Sequence, residues 1–127
     1  MVEMLFDTNI LVDHLRGFAP ATLLVSKVQS GQILGYVSTI TEAELFAGND
    51  AESKEKQTKL RFLIELFQKV DVNSIIARGA GEFVRKYKIE MPDAIIAATA
   101  LTLKCKLLTR NLSDFNHIKE ITVEDPY

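Results

Sequence analysis

The sequence predicts an α/β protein with a mainly parallel sheet, on three observations. Short apolar runs rich in Val, Ile and Leu alternate along the chain with longer segments of helical period. Such runs are typical of strands that helices cover on both faces. The 127 residues, 47% of them hydrophobic, can bury a substantial core without disulfides or a structural metal. We therefore expect one domain spanning residues 1–127.

The first half of the chain predicts two strands and four helices, with glycine, proline or hydroxyl residues near their ends. We expect Thr8 or Asn9 to cap the first helix and Gly17 to end it. Pro20 suits the first turn of the second helix, where its missing N–H leaves no hydrogen bond unmade. In chain order, the predicted elements are a strand over 3–7, helices over 10–16 and 20–31, a strand over 35–38, and helices over 41–48 and 54–67.

The second half predicts three strands and two helices. Val70-Asp71-Val72 is predicted as the third strand, followed by helices over 73–88 and 92–104. The second of these helices is rich in alanine, which predicts close packing against its neighbours. The last two strands are expected over 106–109 and 121–123.

Composition and charge limit the possible functions. The single cysteine, Cys105, excludes an internal disulfide and a cysteine-based zinc site, and it fits a reducing compartment. No apolar run reaches the roughly 18–20 residues of a membrane span, so we expect a soluble, cytoplasmic protein with no membrane partner. A net charge of −2 does not indicate a nucleic-acid binder. A polyanion would have to meet a local basic patch, for which Lys59 and Arg61 are the better candidates, or a bound cation.

Several acidic and amide side chains are predicted at element ends. Asp7 ends the first strand, and Asn111 and Asp114 follow the fourth. Glu44 and Asp93 are expected in the first turns of their helices. Ligands of open parallel sheets bind beyond the carboxyl ends of the strands, so these groups are candidates for one site. Carboxylates that converged there would repel one another unless protonated or neutralised by a cation. Oxygen ligands without histidine or cysteine favour Mg²⁺ or Mn²⁺, and such a cluster suits phosphodiester hydrolysis.

Each acid also has a purely structural interpretation, which the sequence leaves open. Glu44 follows Thr41 by three residues, as in a capping box. Asp93 follows a proline and could favour the positive end of its helix. Asp7 could cap the first helix, and Asp114 could form a turn.

Four segments carry a family pattern: Leu5-Phe6-Asp7-Thr8-Asn9-Ile10-Leu11, Glu44-Leu45 with Gly48, Asp93-Ala94-Ile95-Ile96-Ala97-Ala98-Thr99-Ala100, and Leu108-Thr109-Arg110-Asn111 with Asp114-Phe115. In order and spacing they resemble the motifs of PIN domains, most closely those of the VapC toxins of type II toxin–antitoxin pairs. The resemblance implies a three-layer α/β/α sandwich in which strands one and four are neighbours. It also implies that Glu44 and Asp93 face Asp7.

The resemblance further implies an endoribonuclease that depends on Mg²⁺ or Mn²⁺. Asp7 and Asp93 would be the main metal ligands, and Glu44 would complete the ligand set or hold the attacking water. Some PIN domains have an aspartate where Asn111 stands here, and Asp114 is the only acid in this motif. Asp114 is therefore expected to be the fourth catalytic acid, either supporting the direct metal ligands or reaching the metal through a water molecule. The residues expected to orient the carboxylates or touch phosphate are Thr8, Asn9, Thr109 and Asn111.

Similar proteins form homodimers and are inhibited by a VapB-type antitoxin, for which residues 46–67 are the expected contact. One alternative is a catalytically silent PIN-like module that binds RNA or protein. Another is a Mg²⁺-binding phosphoacceptor domain, although Asp71 lies inside the predicted third strand instead of after it. A dehalogenase-type phosphatase would need an aspartate where Asn9 stands.

Overall fold

The computed structural model describes residues 2–127, which form five strands and seven α-helices. The strands are β1 (Val2–Phe6), β2 (Ile33–Ser38), β3 (Gln68–Val70), β4 (Lys106–Leu108) and β5 (Val123–Glu124). The helices are α1 (Thr8–Leu15), α2 (Ala19–Gln29), α3 (Thr39–Ala47), α4 (Lys54–Glu65), α5 (Ser74–Tyr87), α6 (Met91–Leu103) and α7 (Leu112–Phe115). A 3₁₀ turn, Asn49–Ala51, joins α3 to α4.

The strands form one parallel sheet in the order β3-β2-β1-β4-β5. The central strand, β1, pairs with β2 on one side and β4 on the other, so that Leu5 lies opposite both Tyr36 and Leu107. The predicted parallel sheet and the neighbouring positions of strands one and four are therefore confirmed. The carboxyl ends of β1 and β4 lie side by side, which brings residues 7 and 109 together.

Helices cover both faces of the sheet, as the three-layer prediction requires. Successive residues of a strand point to opposite faces, so Leu5 and Phe6 enter different cores. Phe6 packs with residues of α1 to α4, including Leu11 and Leu60. Leu5 packs with the opposite layer, in which α5 and α6 supply Phe83 and four of the alanines of α6. No helix within residues 2–127 is both long enough and apolar enough to span a membrane.

The third strand and the end of α4 differ from the sequence prediction. The strand is Gln68–Val70 instead of 70–72, and α4 ends at Glu65 instead of residue 67. Phe67 leaves the helix and its ring enters the core, 5.1 Å from the ring of Phe6. A Cβ atom on Gly35 would lie 2.7 Å from the Phe67 ring, so only glycine leaves room for this packing.

Two helix starts also differ from the prediction. Asp7, and not Thr8 or Asn9, is the N-cap of α1. Helix α3 begins at residue 39 with Ser38 as its cap, and not at Thr41. The short α7, which contains Asp114, was not predicted as a helix.

Candidate active site

Asp7 lies directly after β1 and is held from several sides. Its side chain is only 6% exposed, and its backbone N–H donates to the carbonyl of Leu108 at 2.9 Å. Oδ1 accepts from the N–H of Thr8 at 2.7 Å, and Oδ2 accepts from the hydroxyl of Thr109 at 2.7 Å. Burial raises the pKa of Asp7, against the opposing effect of these two hydrogen bonds. Asp7 is thus the N-cap of α1 and also a buried carboxyl group with a raised pKa.

Asparagine and threonine side chains fix the geometry around Asp7. The amide Nδ2 of Asn9 lies 3.3 Å from Asp7 Oδ2 and 3.3 Å from Thr109 Oγ1. Asn9 Oδ1 accepts from the backbone N–H of Arg110 at 3.3 Å, and Thr109 Oγ1 accepts from that of Asn111 at 3.0 Å. These bonds join the segment after β1 to the segment after β4 and restrict the carboxylate to one orientation.

Glu44 is not part of a capping box, so that structural interpretation of the residue is wrong. Because α3 begins at residue 39, Thr41 lies inside the helix and Glu44 lies beyond its first turn. Thr8 Oγ1 lies 2.7 Å from Glu44 Oε1 and 2.9 Å from Thr41 Oγ1. A hydroxyl has one proton and an ionised carboxylate only accepts. Thr8 therefore donates to Glu44 and accepts from Thr41, which links α3 to the start of α1.

Asp93 lies in the first turn of α6, as predicted, and is half-buried. Its pKa is raised to about 6, first by burial and then by the charges of Asp7, Asp114, Glu90 and Glu44. Ordinary aspartates titrate about two units lower. Burial and the surrounding negative charges both disfavour the ionised form of Asp93, and a bound cation would favour that form.

Asp7, Glu44 and Asp93 line one open cavity of about 330 Å³. Thr8, Asn9 and Asn111 also line it, whereas the buried Thr109 lies behind Asp7. The remaining lining residues are Val12, Arg16 and Arg110.

Asp114 lies on the other side of Asp93. It lines an adjoining cavity of about 370 Å³, together with Asp93, Glu90, Tyr87 and His117. The two cavities share Asp93, and the charge of Asp114 contributes to the raised Asp93 pKa. Of the two residues considered after the fourth strand, Asn111 therefore lines the Asp7 cavity and Asp114 lines the adjoining one.

The basic residues of the cavity are not those favoured by the sequence. Lys59 and Arg61 are exposed on α4 and are not among the lining residues, which include Arg16 and Arg110 instead. Arg110 Nε donates to Asp13 Oδ2 at 2.9 Å. The position of Arg110 could have indicated its place in the cavity, because it follows Thr109 at the end of β4. β4 pairs with β1, and Asp7 directly follows β1. Arg16 gave no such signal, because its approach depends on the direction of α1.

The expected antitoxin-contact segment, residues 46–67, is largely internal at its apolar positions. Leu60 and Phe67 are buried in the core beneath the sheet. Phe62, by contrast, is 69% exposed and lines a cavity of about 190 Å³ on α4 with Thr58, Arg61 and Glu65. Only Phe62 of these three aromatic and aliphatic side chains is available to a partner.

The donor chemistry of the Asp7 cavity fits a hard divalent cation. Its candidate ligands are carboxylate and amide oxygens, the ligand type that Mg²⁺ and Mn²⁺ prefer. As the side chains stand, no three His, Cys, Asp or Glu residues within residues 2–127 are grouped closely enough to hold an ion. Glu44 is exposed and Asp7 is buried, so the Glu44 side chain has more freedom to rotate than that of Asp7.

Comparison with known proteins identifies the family. The PIN domain family model matches residues 4–121. Ribonuclease VapC19 of Mycobacterium tuberculosis is 34% identical, with 97% of this chain and 98% of that protein covered. Ribonuclease VapC2 of Methanocaldococcus jannaschii is 27% identical, covering 91% of this chain and 89% of that protein. A chain of the solved toxin–antitoxin complex from Klebsiella pneumoniae has a TM-score of 0.82 at 32% identity and 98% coverage of both chains. The chain belongs to the PIN domain family, in the group of the VapC proteins.

Proposed function

We propose that this protein is an endoribonuclease that depends on Mg²⁺ or Mn²⁺ and acts as the toxin of a VapBC-type pair. One observation carries the proposal: three carboxylates from distant parts of the sequence, Asp7, Glu44 and Asp93, line one cavity beyond the central strands. The raised pKa values of Asp7 and Asp93 support a site built to receive positive charge. The relatives named as ribonucleases support RNA as the substrate, and the cytoplasm is the location that we propose for the reaction.

Asp7 and Asp93 would hold the cation, and Glu44 would complete the ligand set or orient the attacking water. When bound, the metal would activate that water and offset charge on the phosphate oxygens. Thr109 and Asn9 keep the Asp7 carboxylate turned toward the cavity, and Thr8 does the same for Glu44. The described residues need supply no nucleophile, because water attacks the phosphorus atom.

Asn111 and Asp114 would have different roles. Asn111 lines the Asp7 cavity and can offer its amide oxygen to the metal or its N–H groups to phosphate. Asp114 lies beyond Asp93, so it would act on the site through Asp93 or through a water molecule. Replacing Asp114 by Asn should therefore lower activity less than the same change at Asp93.

The partners we propose are a VapB-type antitoxin and a second copy of this chain. The Klebsiella pneumoniae complex, which matches the whole chain at 32% identity, supports an antitoxin. Exposed Phe62 is the apolar side chain of α4 that we assign to that contact. Phe62→Ala should weaken copurification with the product of a short neighbouring antitoxin gene, whereas Ile75→Ala, at an equally exposed site on α5, should not. Equal recovery of the antitoxin with Phe62→Ala and Ile75→Ala would show that Phe62 does not contribute to the interface.

A catalytically silent module that binds RNA or protein is the alternative. Cleavage of single-stranded RNA in Mg²⁺, in Mn²⁺ and in chelator distinguishes the two. We expect cleavage by the wild type only with metal, and none by Asp7→Asn or Asp93→Asn. Asp71→Asn, at an exposed position after β3, is the matched control and should remain active. Equal cleavage by the wild type and both site variants would contradict the mechanism.

A further inference from the structure

Arg110 lines the candidate active site and has a constrained backbone. It follows the buried Thr109, and its backbone N–H donates to Asn9 Oδ1 at 3.3 Å. Arg110 lines the same cavity as Asp7 and Asp93. The positive charge of Arg110 also acts to lower the pKa of Asp7. Arg110 is thus near enough to the carboxylates to influence them electrostatically.

Asp13 holds this guanidinium by one edge only. Arg110 Nε donates to Asp13 Oδ2 at 2.9 Å, and in residues 2–127 Asp13 is the hydrogen-bond partner of the Arg110 side chain. The Asp13 side chain is 13% exposed, against 44% for Arg110, so the anchor is more buried than the group it holds. A guanidinium has five N–H donors, and the four on the Nη atoms remain for a ligand.

Tyr127 fixes Asp13 from the far end of the sequence. Its hydroxyl donates to the same oxygen, Asp13 Oδ2, at 3.2 Å. Its ring meets Phe18 edge to face, with the centroids 4.9 Å apart. Burial and the charge of Asp13 raise the pKa of Tyr127, so the hydroxyl keeps its proton and remains a donor. Two donors from the last part of the chain, Arg110 and Tyr127, therefore hold one carboxylate oxygen near its beginning.

We propose that Arg110 binds a backbone phosphate of single-stranded RNA beside the cleaved bond, and that Tyr127, acting through Asp13, is a positioning residue for it. The proposal rests on the proposed ribonuclease function. A cavity lined by three carboxylates repels a polyanion, and Arg110 is one of its two arginines. An arginine already held in place loses less conformational entropy when it binds phosphate, and its planar fork matches phosphate oxygens.

The test is the binding of a fluorescein-labelled oligouridylate to the protein in chelator, where no cleavage occurs, across a series of salt concentrations. Arg110→Ala should weaken binding about tenfold and lower the salt-dependence slope by about 0.7, the value for one phosphate contact on a single strand. Tyr127→Phe keeps the ring on Phe18 and should weaken binding about threefold. In the Arg110→Ala background, Tyr127→Phe should have no effect.

Tyr36→Phe is the matched control, because the Tyr36 hydroxyl donates to Glu3 at 2.7 Å and does not line the cavity. This variant should bind like the wild type. In Mn²⁺, Tyr127→Phe should raise KM for RNA cleavage and leave kcat within about twofold.

Three results would overturn the proposal: wild-type binding by Tyr127→Phe, an effect of that variant that persists without Arg110, or no binding by the wild type at low salt. Wild-type cleavage is measured in parallel. Intact wild-type cleavage with unchanged binding by Arg110→Ala and Tyr127→Phe would reject this proposal and leave the nuclease function standing. Altered binding without any cleavage would reject the nuclease function instead.

Discussion

The hydroxyl of Thr109 donates a 2.7 Å hydrogen bond to Oδ2 of Asp7, across a sequence separation of 102 residues. The bond joins the carboxyl ends of the two adjacent central strands, β1 and β4. It orients the Asp7 side chain and favours its ionised form, which burial disfavours. Supporting hydrogen bonds of this kind orient metal ligands and tune their basicity.

Thr109→Val should lower RNA cleavage about 10–100-fold at neutral pH, the usual effect of losing such a bond. Valine removes the donor, raises the Asp7 pKa further and leaves the N–H of Asn111 without its acceptor. Thr109→Ser keeps the hydroxyl and should retain most activity. Each variant should lose about 1–2 kcal/mol of unfolding free energy, through the unmade hydrogen bond or the lost methyl group. The cleavage rate per folded molecule therefore distinguishes Thr109→Val from Thr109→Ser. Equal rates for the two variants would show that the Thr109 hydroxyl does not orient Asp7.

The metal-free protein should become less stable as the pH rises from about 4 to about 6. The pKa of Asp93 is about 6 in the folded state, against a reference value of 3.8. Between these two values the folded state holds a proton that the unfolded state has lost, so raising the pH favours unfolding. One pKa unit corresponds to about 1.4 kcal/mol, and we expect a loss of about 1–2 kcal/mol because solvent partly screens the half-buried carboxylate.

Asp93→Asn should reduce that dependence and leave the part that the raised pKa of Asp7 contributes in the same direction. Urea unfolding in chelator at pH 4 and pH 7 measures it, with Asp71→Asn as the variant that should retain the wild-type slope. A pH dependence unchanged in Asp93→Asn would place its origin elsewhere.

Glu44→Gln should reduce RNA cleavage at least tenfold while changing the free energy of unfolding by less than about 0.5 kcal/mol, because glutamine keeps an oxygen that can accept the hydrogen bond from Thr8. Glu44 is exposed and does not cap α3, so its loss leaves the helix start intact. Glu42→Gln is the control on the same helix, where Glu42 pairs with Lys69 at 3.4 Å. Equal cleavage activity of Glu44→Gln and Glu42→Gln would show that the Glu44 carboxylate is not needed for cleavage.

Gly35→Ala should lower the free energy of unfolding by about 1–3 kcal/mol, as overpacked cores do. The added Cβ would lie 2.7 Å and 2.9 Å from two ring atoms of Phe67, a side chain that the core prevents from moving aside. Gly81→Ala, in helix α5 with no atom within 4 Å of the new Cβ, should stabilise the protein by up to about 1 kcal/mol. Urea unfolding of both variants tests the pair, and a neutral Gly35→Ala would show that Phe67 can shift.

The position of Asp7 followed from the sequence because it depends on local pattern and on topology. An apolar run that stops at an acid predicts a strand end, and parallel strands bring such ends to one edge of the sheet. The start of α3 did not follow, because Ser38, Thr39 and Thr41 all carry hydroxyls that can cap a helix. Ser38 pairs with Val70 in the sheet, so the strand runs to residue 38 and the helix begins at once.

The third strand was misplaced for a related reason. Val70 and Val72 suggested strand, yet pairing with Tyr36 to Ser38 selects Gln68–Val70. β3 lies at the edge of the sheet, where polar residues are tolerated. The contribution of Arg110 and Tyr127 to the site could not be predicted either, because Asp13 connects them only after α1 and the last residues of the chain have packed.

The order of the strands also sets when the candidate site can exist during synthesis. Residues 1–105 contain Asp7, Glu44 and Asp93, but the strand that carries Thr109 against β1 comes later. A ribosome must therefore extend the chain past residue 109, and β4 must insert beside β1, before Asp7 gains its hydroxyl partner. A chain released before residue 106 lacks β4 as well as Thr109, so we expect truncated products to have no RNA cleavage activity.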